Sequence, residues 1–216
     1  MTCYNQGYVK GYYYNEGYLR TSCKEFTLEN LENTMIHLTN DAVQKHDDDY
    51  GKYEMANKMS YDDFQKYMDN VYKKEVQEGN QDAKKMDFKN DMLSQIREII
   101  TDSLKAVHTK IDPYGRANTF EILGYDFMID EDFKIYLIEV NTNPCLDCWC
   151  PLLSRLIPSM VENSFFIALD PLFIPQDGFL ENRAMMHDIW KENKYELIFD
   201  SRVDGTKAPD SEDQQS

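Results

Sequence analysis

Apolar and polar positions along the chain follow two periods in turn. Residues 2–22, TCYNQGYVKGYYYNEGYLRTS, alternate tyrosines with small and polar residues. Turn signals at Asn5-Gln6-Gly7 and Asn15-Glu16-Gly17 divide them, which predicts strand, turn, strand, turn. Residues 34–45, TMIHLTNDAVQK, read as a short apolar strand ending in Thr39-Asn40, with His37 a structural residue. The stretch that follows holds consecutive aspartates, Asp47, Asp48 and Asp49, and reads as a solvated loop. The period then becomes helical. Ser60 is a good N-cap, Asp62 and Asp63 suit a first turn, and Phe64, Tyr67, Met68, Val71 and Tyr72 mark an amphipathic helix over residues 60–78. Residues 88–110 carry a clearer stripe, Met92, Leu93, Ile96, Ile99, Ile100, Leu104 and Val107.

Residues 119–146, TFEILGYDFMIDEDFKIYLIEVNTNPCL in essence, return to the strand period. Two apolar runs, 120–128 and 135–140, flank a charged turn at 130–134, which predicts a hairpin packed by the preceding helix. Arg116, in the loop before it, reads as a surface residue. Residues 151–169 predict a further helix, bent at Pro158 and with Leu153, Leu156, Met160 and Phe165 in its core stripe. Residues 181–199 add a helix and a short strand from Tyr195 to Phe199, and the polar residues 201–216 read as a disordered tail.

The hairpin carries chemistry. Asp126 and Glu139 stand where apolar residues are the default, and Asn141 lies two positions after Glu139, on the same side of its strand. A turn near 131–134 brings Asp126 opposite 139 or 141. Three oxygen ligands on one face of a ribbon suit a hard cation such as Mg²⁺. Each acid alone reads equally well as a solvated strand residue, but a pair set among Leu137, Ile138 and Val140 is costly if buried without a partner. Asn141-Thr142-Asn143-Pro144 also reads as a turn.

Composition narrows the classes. The 216 residues suffice for one or two domains with a real core. A net charge of −16, from 39 acidic and 23 basic residues, argues against nucleic acid as a partner. No apolar run is long enough to span a membrane and no signal peptide is evident. Five cysteines, an odd number, point to reduced thiols and an intracellular home. Cys145, Cys148 and Cys150 lack the second ligand pair of a zinc site and read as packing cysteines at a helix start.

The pattern GYDFMIDEDFKIYLIEVNTNP resembles the metal-binding hairpin of the tubulin–tyrosine-ligase-like family, a branch of the ATP-grasp ligases. GYLRTS at residues 17–22 and HLTN at residues 37–40 resemble two further family blocks in the expected order, and the resemblance spans roughly residues 4–173. It implies an α+β, ATP-grasp-like fold: an antiparallel sheet with the metal-binding hairpin, packed by helices. It implies that residues 1–175 are the C-terminal part of the ligase domain, with an extension over 176–200 and the tail over 201–216. The N-terminal part of the ligase, with its phosphate-binding lysines, is not found in these residues. The resemblance further implies ATP and Mg²⁺, two ions, as cofactors. Asp126, Glu139 and Asn141 would be the metal ligands, with Glu139 bridging. Arg20, otherwise a surface arginine, would act at the transferring phosphoryl group. Thr39 and Asn40, otherwise a turn or helix cap, would line the nucleotide and amino-acid site.

The implied reaction is ATP-dependent amide formation between a free amino acid, glutamate or glycine favoured, and a protein carboxylate on tubulin or microtubules, through an acyl phosphate. The implied setting is a monomer in the cytoplasm, on the cytoskeleton or in a cilium or axoneme, without nucleic acid or membrane. The alternative is a non-catalytic, tubulin-associated module of the same fold.

Overall fold

The tyrosine-rich stretch forms strands β1 (Thr2–Asn5) and β2 (Tyr8–Tyr14) in the computed structural model, which describes residues 1–5, 7–173 and 193–205. The two strands pair antiparallel. β5 (Thr119–Glu121) adds beside β1 and β8 (Tyr195–Asp200) beside β2, giving the order β5-β1-β2-β8. Alternation decides the faces: Thr2, Tyr4, Val9 and Tyr13 are buried, while their neighbours are half-exposed. Helix α4 (Leu93–Ile111) packs on the buried face through Leu93, Ile96, Ile100 and Leu104. Gly11 permits this approach, because a Cβ there would lie 2.3 Å from Leu104 Cδ1. The stripe stops earlier than expected, with Val107 43% exposed.

The apolar run 120–128 is two strands rather than one. Its first residues belong to β5, and β6 (Gly124–Ile129) leaves to pair with β7 (Ile135–Asn141) in a separate two-stranded sheet. Both halves of the run mix apolar residues with an acid, Glu121 in one and Asp126 in the other, so the choice of partner strand divides it. In the connecting turn Asp130 Oδ1 accepts from the amides of Asp132 (3.0 Å) and Lys134 (2.9 Å), and Phe133 adopts φ 62°. The hairpin is fastened to α4 as expected. Tyr125 and Ser103 hydroxyls meet at 2.8 Å, Gln95 Nε2 donates to Phe133 O at 3.0 Å, and Ile135 N donates to Gln95 Oε1 at 3.1 Å.

Chain contacts divide the protein into two units. One comprises Met1–Asn15, Met92–Cys145 and Met160–Ser216, the other Glu16–Asp91 and Leu146–Ser159. In the second unit β3 (Tyr18–Arg20) pairs with β4 (Lys58–Ser60). Residues 34–45 are not a strand. They form two short helices, α1 (Thr34–His37) and α2 (Asp41–Gln44), because Asn33 Oδ1 caps α1 by accepting from Met35 N at 3.0 Å. Thr39 and Asn40 occupy the extended link between them. The stretch after α2 is not wholly solvated either, since Asn57 and Lys58 are buried. α3 (Tyr61–Gln77) begins as expected, with Ser60 Oγ accepting from Asp63 N at 3.1 Å. It packs Tyr61 and Phe64 around the buried Phe88.

α5 (Pro151–Ala168) contains Pro158 and buries Leu153, Leu156 and Met160, while Phe165 is largely exposed, against expectation. β8 extends the expected strand by one residue. Residues 201–205 form a turn in which Arg202 Nη2 donates to Asp200 Oδ2 at 2.6 Å. The helix expected after 181 and the tail from 206 onward lie outside the described residues. Among the described residues no helix is long and apolar enough to cross a membrane.

Candidate active site

Register places the hairpin residues. From the turn, Ile129 pairs with Ile135, Met128 with Tyr136 and Phe127 with Leu137. A regular ladder would then set Asp126 opposite Ile138 and Glu139 opposite Tyr125, on the face toward α4. The ladder instead shifts between Asp126 and Phe127, so Ile138 is an extra residue and Asp126 pairs with Glu139. Gly124 then pairs with Asn141 and Tyr125 with Val140. Directly opposed residues share a face. The bulge therefore keeps Leu137 and Val140 beside Phe127 and Tyr125 on the helix face, and gathers Asp126, Glu139 and Asn141 on the other. Re-aiming a side chain is what a bulge does.

The three side chains meet. Asn141 Nδ2 donates to Asp126 Oδ2 at 3.3 Å and to Glu139 Oε1 at 3.2 Å. The amide thus sits between two carboxylates, and a half-turn about its last torsion exchanges the nitrogen for Oδ1. Two carboxylates and an amide oxygen form a donor set for a hard cation that completes its shell from water or phosphate. The burial argument for these acids does not hold: Glu139 is exposed, as are Leu137 (36%), Ile138 (57%) and Val140 (39%). Glu139 is open to solvent and Asp126 half-buried, so burial demands no partner for the pair and the geometry of the trio carries the case.

The cysteines do not pack as a group. Of the three before α5, Cys145 and Cys148 are exposed and only Cys150 is buried. Among the described residues no group of three or more His, Cys, Asp or Glu could hold a metal ion. Arg116 lies on the surface beside Asp112 (3.8 Å) and over the Tyr114 ring.

Arg20, Thr39 and Asn40 belong to the second unit, and the hairpin belongs to the first. Arg20 ends β3, exposed, opposite Lys58 in β4. Gly17, which opens its GYLR block, faces Tyr61, whose hydroxyl would lie 2.2 Å from a Cβ. Asn40 holds the N-cap position of α2 but makes no side-chain cap hydrogen bond, so capping does not explain its side chain.

A polar network fixes this region. Gln44, wholly buried, accepts from Cys23 N at 2.7 Å and donates to Leu38 O at 2.6 Å and Met35 O at 3.2 Å. It ties the residues after Arg20 to the residues before Thr39. Asn57 Nδ2 donates to Thr21 O and to Cys23 Sγ, both at 3.2 Å, and its Oδ1 accepts from Gly51 N at 2.8 Å. Farther out, Lys24 Nζ bridges Asp47 (3.0 Å) and Asp49 (2.9 Å). The Asp49 amide and then Lys24 hold the Asp47 carboxyl below the usual range, and Lys24 and Lys52 do the same for Asp49. Sequence reasoning missed Gln44, Asn57 and Lys58. All three are polar residues, and no periodic signal marks their burial.

A sequence profile of the tubulin-tyrosine ligase family matches residues 5–176. The chain belongs to that family. Among similar proteins, "Tubulin glycylase 3B" of Tetrahymena thermophila is 26% identical over 163 residues, covering 74% of this chain and 12% of the relative. "Protein monoglycylase TTLL8" of Homo sapiens is 28% identical, covering 74% of this chain and 18% of the relative. "Probable alpha-tubulin polyglutamylase Ttll1" of Tetrahymena thermophila is 31% identical, covering 74% and 36%. The chain therefore spans about a tenth to a third of the length of these curated relatives.

Proposed function

We propose that this chain carries the metal hairpin and part of the ligand site of an ATP- and Mg²⁺-dependent ligase of ATP-grasp type. The ligase joins a free amino acid, glycine or glutamate, to a carboxylate on a protein, tubulin being the acceptor. Membership of the tubulin-tyrosine ligase family and the glycylase and polyglutamylase names among its relatives support the reaction class. The observation that carries the site is the convergence of Asp126, Glu139 and Asn141 on one face of the hairpin.

In this reading an acceptor carboxylate oxygen bonds to the terminal phosphorus of ATP, and ADP departs. The amine of the incoming amino acid then bonds to the acyl carbon, phosphate leaves, and the amine nitrogen gives up a proton. Asp126, Glu139 and Asn141 would hold Mg²⁺ through two carboxylates and an amide oxygen. Bound there, the metal would neutralise charge on the phosphates. Arg20 suits the transferring phosphoryl group, because a guanidinium offers a planar fork of donors to phosphate oxygens. Thr39 and Asn40 offer a hydroxyl and an uncommitted amide to phosphate and amino acid. A cytoplasmic, cytoskeletal or ciliary setting follows from a tubulin acceptor.

Calorimetric titration of the 216-residue chain with a non-hydrolysable ATP analogue, with and without Mg²⁺, tests this reading. Mg²⁺-dependent binding that Glu139→Gln abolishes is expected. Binding that ignores both Mg²⁺ and Glu139 would remove the hairpin from the site. No binding in this chain, or in one extended at its N-terminus, would leave a non-catalytic, tubulin-associated module as the better reading.

A further inference from the structure

Lys58 is a buried cation in a stretch whose sequence reads as a solvated loop. Its side chain is 1% exposed. An ammonium taken out of water is costly unless its protons all find acceptors. Here they do: Nζ donates to Asp41 Oδ1 at 2.7 Å, Asp41 Oδ2 at 2.5 Å and Ala56 O at 3.2 Å. Asp41 keeps 38% of its side chain exposed. Tyr50 also donates to it at 3.3 Å, and burial and then the Asp41 charge push that phenol up.

The backbone leading into Lys58 is strained. Ala56 and Asn57 stand at φ 55° and 50°, two successive non-glycine residues in the left-handed region. Such residues persist where their surroundings over-determine them, and they gather at functional sites. Asn57 is held from three directions, by Thr21, Cys23 and Gly51. The turn thereby delivers Lys58 to one place, the β4 position directly opposite Arg20. Asp41, its counter-ion, directly follows Asn40. A single ion pair thus spans from the cross-strand partner of Arg20 to the chain neighbour of Asn40.

We propose that Lys58 and Asp41 are positioning residues that set the Thr39–Asn40 link against Arg20. This rests on the reading that those three residues meet the nucleotide and amino acid. The pair belongs to the second unit and the hairpin to the first, so each site is tested by its own variants.

Lys58→Met is the informative variant. It removes the buried partner and leaves Asp41 to solvent, so the fold is retained. A nucleotide analogue is expected to bind Lys58→Met about 10-fold more weakly, the scale on which small displacements of ligand groups act. Mn²⁺ affinity at the hairpin should not change, and the melting temperature should fall by no more than about 3 °C. Lys58→Arg, which keeps a cation able to reach Asp41, should recover most of the affinity. The Lys58→Met, Asp41→Asn double variant should stay as weak as Lys58→Met. Recovery in the double variant would mean that an uncompensated carboxylate, rather than lost position, caused the defect, and would overturn the proposal. So would an unchanged affinity with a lowered melting temperature. Hydrogen exchange of residues 38–44 decides the matter independently of ligand. Faster exchange in Lys58→Met supports the tie and unchanged exchange refutes it, even if the wild-type chain binds no nucleotide and the ligase reading itself falls.

Discussion

The hairpin and the β3–β4 region hold their candidate groups by opposite means. In the hairpin, backbone register does the placing. Asp126, Glu139 and Asn141 are gathered by strand pairing and one bulge, on an open surface where their side chains bond mainly to one another. Around Arg20, Thr39 and Asn40, buried side chains do the placing. Gln44, Asn57 and Lys58 bond to backbone and carboxylate atoms of other segments, from Thr21 and Cys23 to Leu38 and Asp41. Substitution should therefore act on ligand binding alone in the first region, and on stability and binding together in the second.

The largest test of that contrast is Gln44→Leu. It leaves Cys23 N, Leu38 O and Met35 O without their partner in a buried setting, so unfolding free energy should drop by about 3 kcal/mol, read by chemical denaturation. A change under about 0.5 kcal/mol, the range of ordinary surface substitutions, would break the comparison. Glu139→Gln comes next. Mn²⁺ affinity, followed by electron paramagnetic resonance, should weaken at least about 10-fold, while stability shifts by no more than about 0.5 kcal/mol because the site is exposed.

Deletion of Ile138 sharpens the account of register. Removing the extra residue leaves Leu137 opposite Phe127 and the glutamate opposite Asp126, so Mn²⁺ affinity should stay within about threefold of wild type. A large loss would mean that the bulge shapes the site beyond setting its phase.

The smallest effect concerns the rim of the second region. Asp47 and Asp49 have carboxyl groups held below their usual range, so what they contribute is present above that range. It is lost as pH falls through the lowered values, since the unfolded chain takes up those protons first. Carbon-detected titration of the two carboxyls should show low midpoints, and Lys24→Met should move both upward. Because the shared partner Lys24 is at the surface, with 40% of its side chain exposed, the shift should leave overall stability nearly untouched.

Periodicity made much of the fold legible. The stripe of Leu93, Ile96, Ile100 and Leu104 marked α4, Ser60 marked the start of α3, and alternating tyrosines marked β1 and β2. The hairpin, and the sharing of one side by Glu139 and Asn141, followed from a period of two. Where a segment is short and capped by its own neighbours, the apolar pattern misled. Ile36 and Leu38 read as strand, yet Asn33 starts a helical turn there. Likewise the run 120–128 gives no sign of where β5 ends, because that depends on β1 and β7 as partners.

The sequence by itself determined which residue types are available to the proposed cation and phosphate sites, and residues 5–176 carry the pattern of the tubulin-tyrosine ligase family. Tertiary structure alone decided which of them meet. Turn geometry and strict alternation would have sent Glu139 toward α4, and one extra residue at Ile138 turned it to face Asp126. Lys58 reads as one more solvated lysine until Asp41 closes on it. Both outcomes depend on pairings between distant segments, and local preference does not encode them.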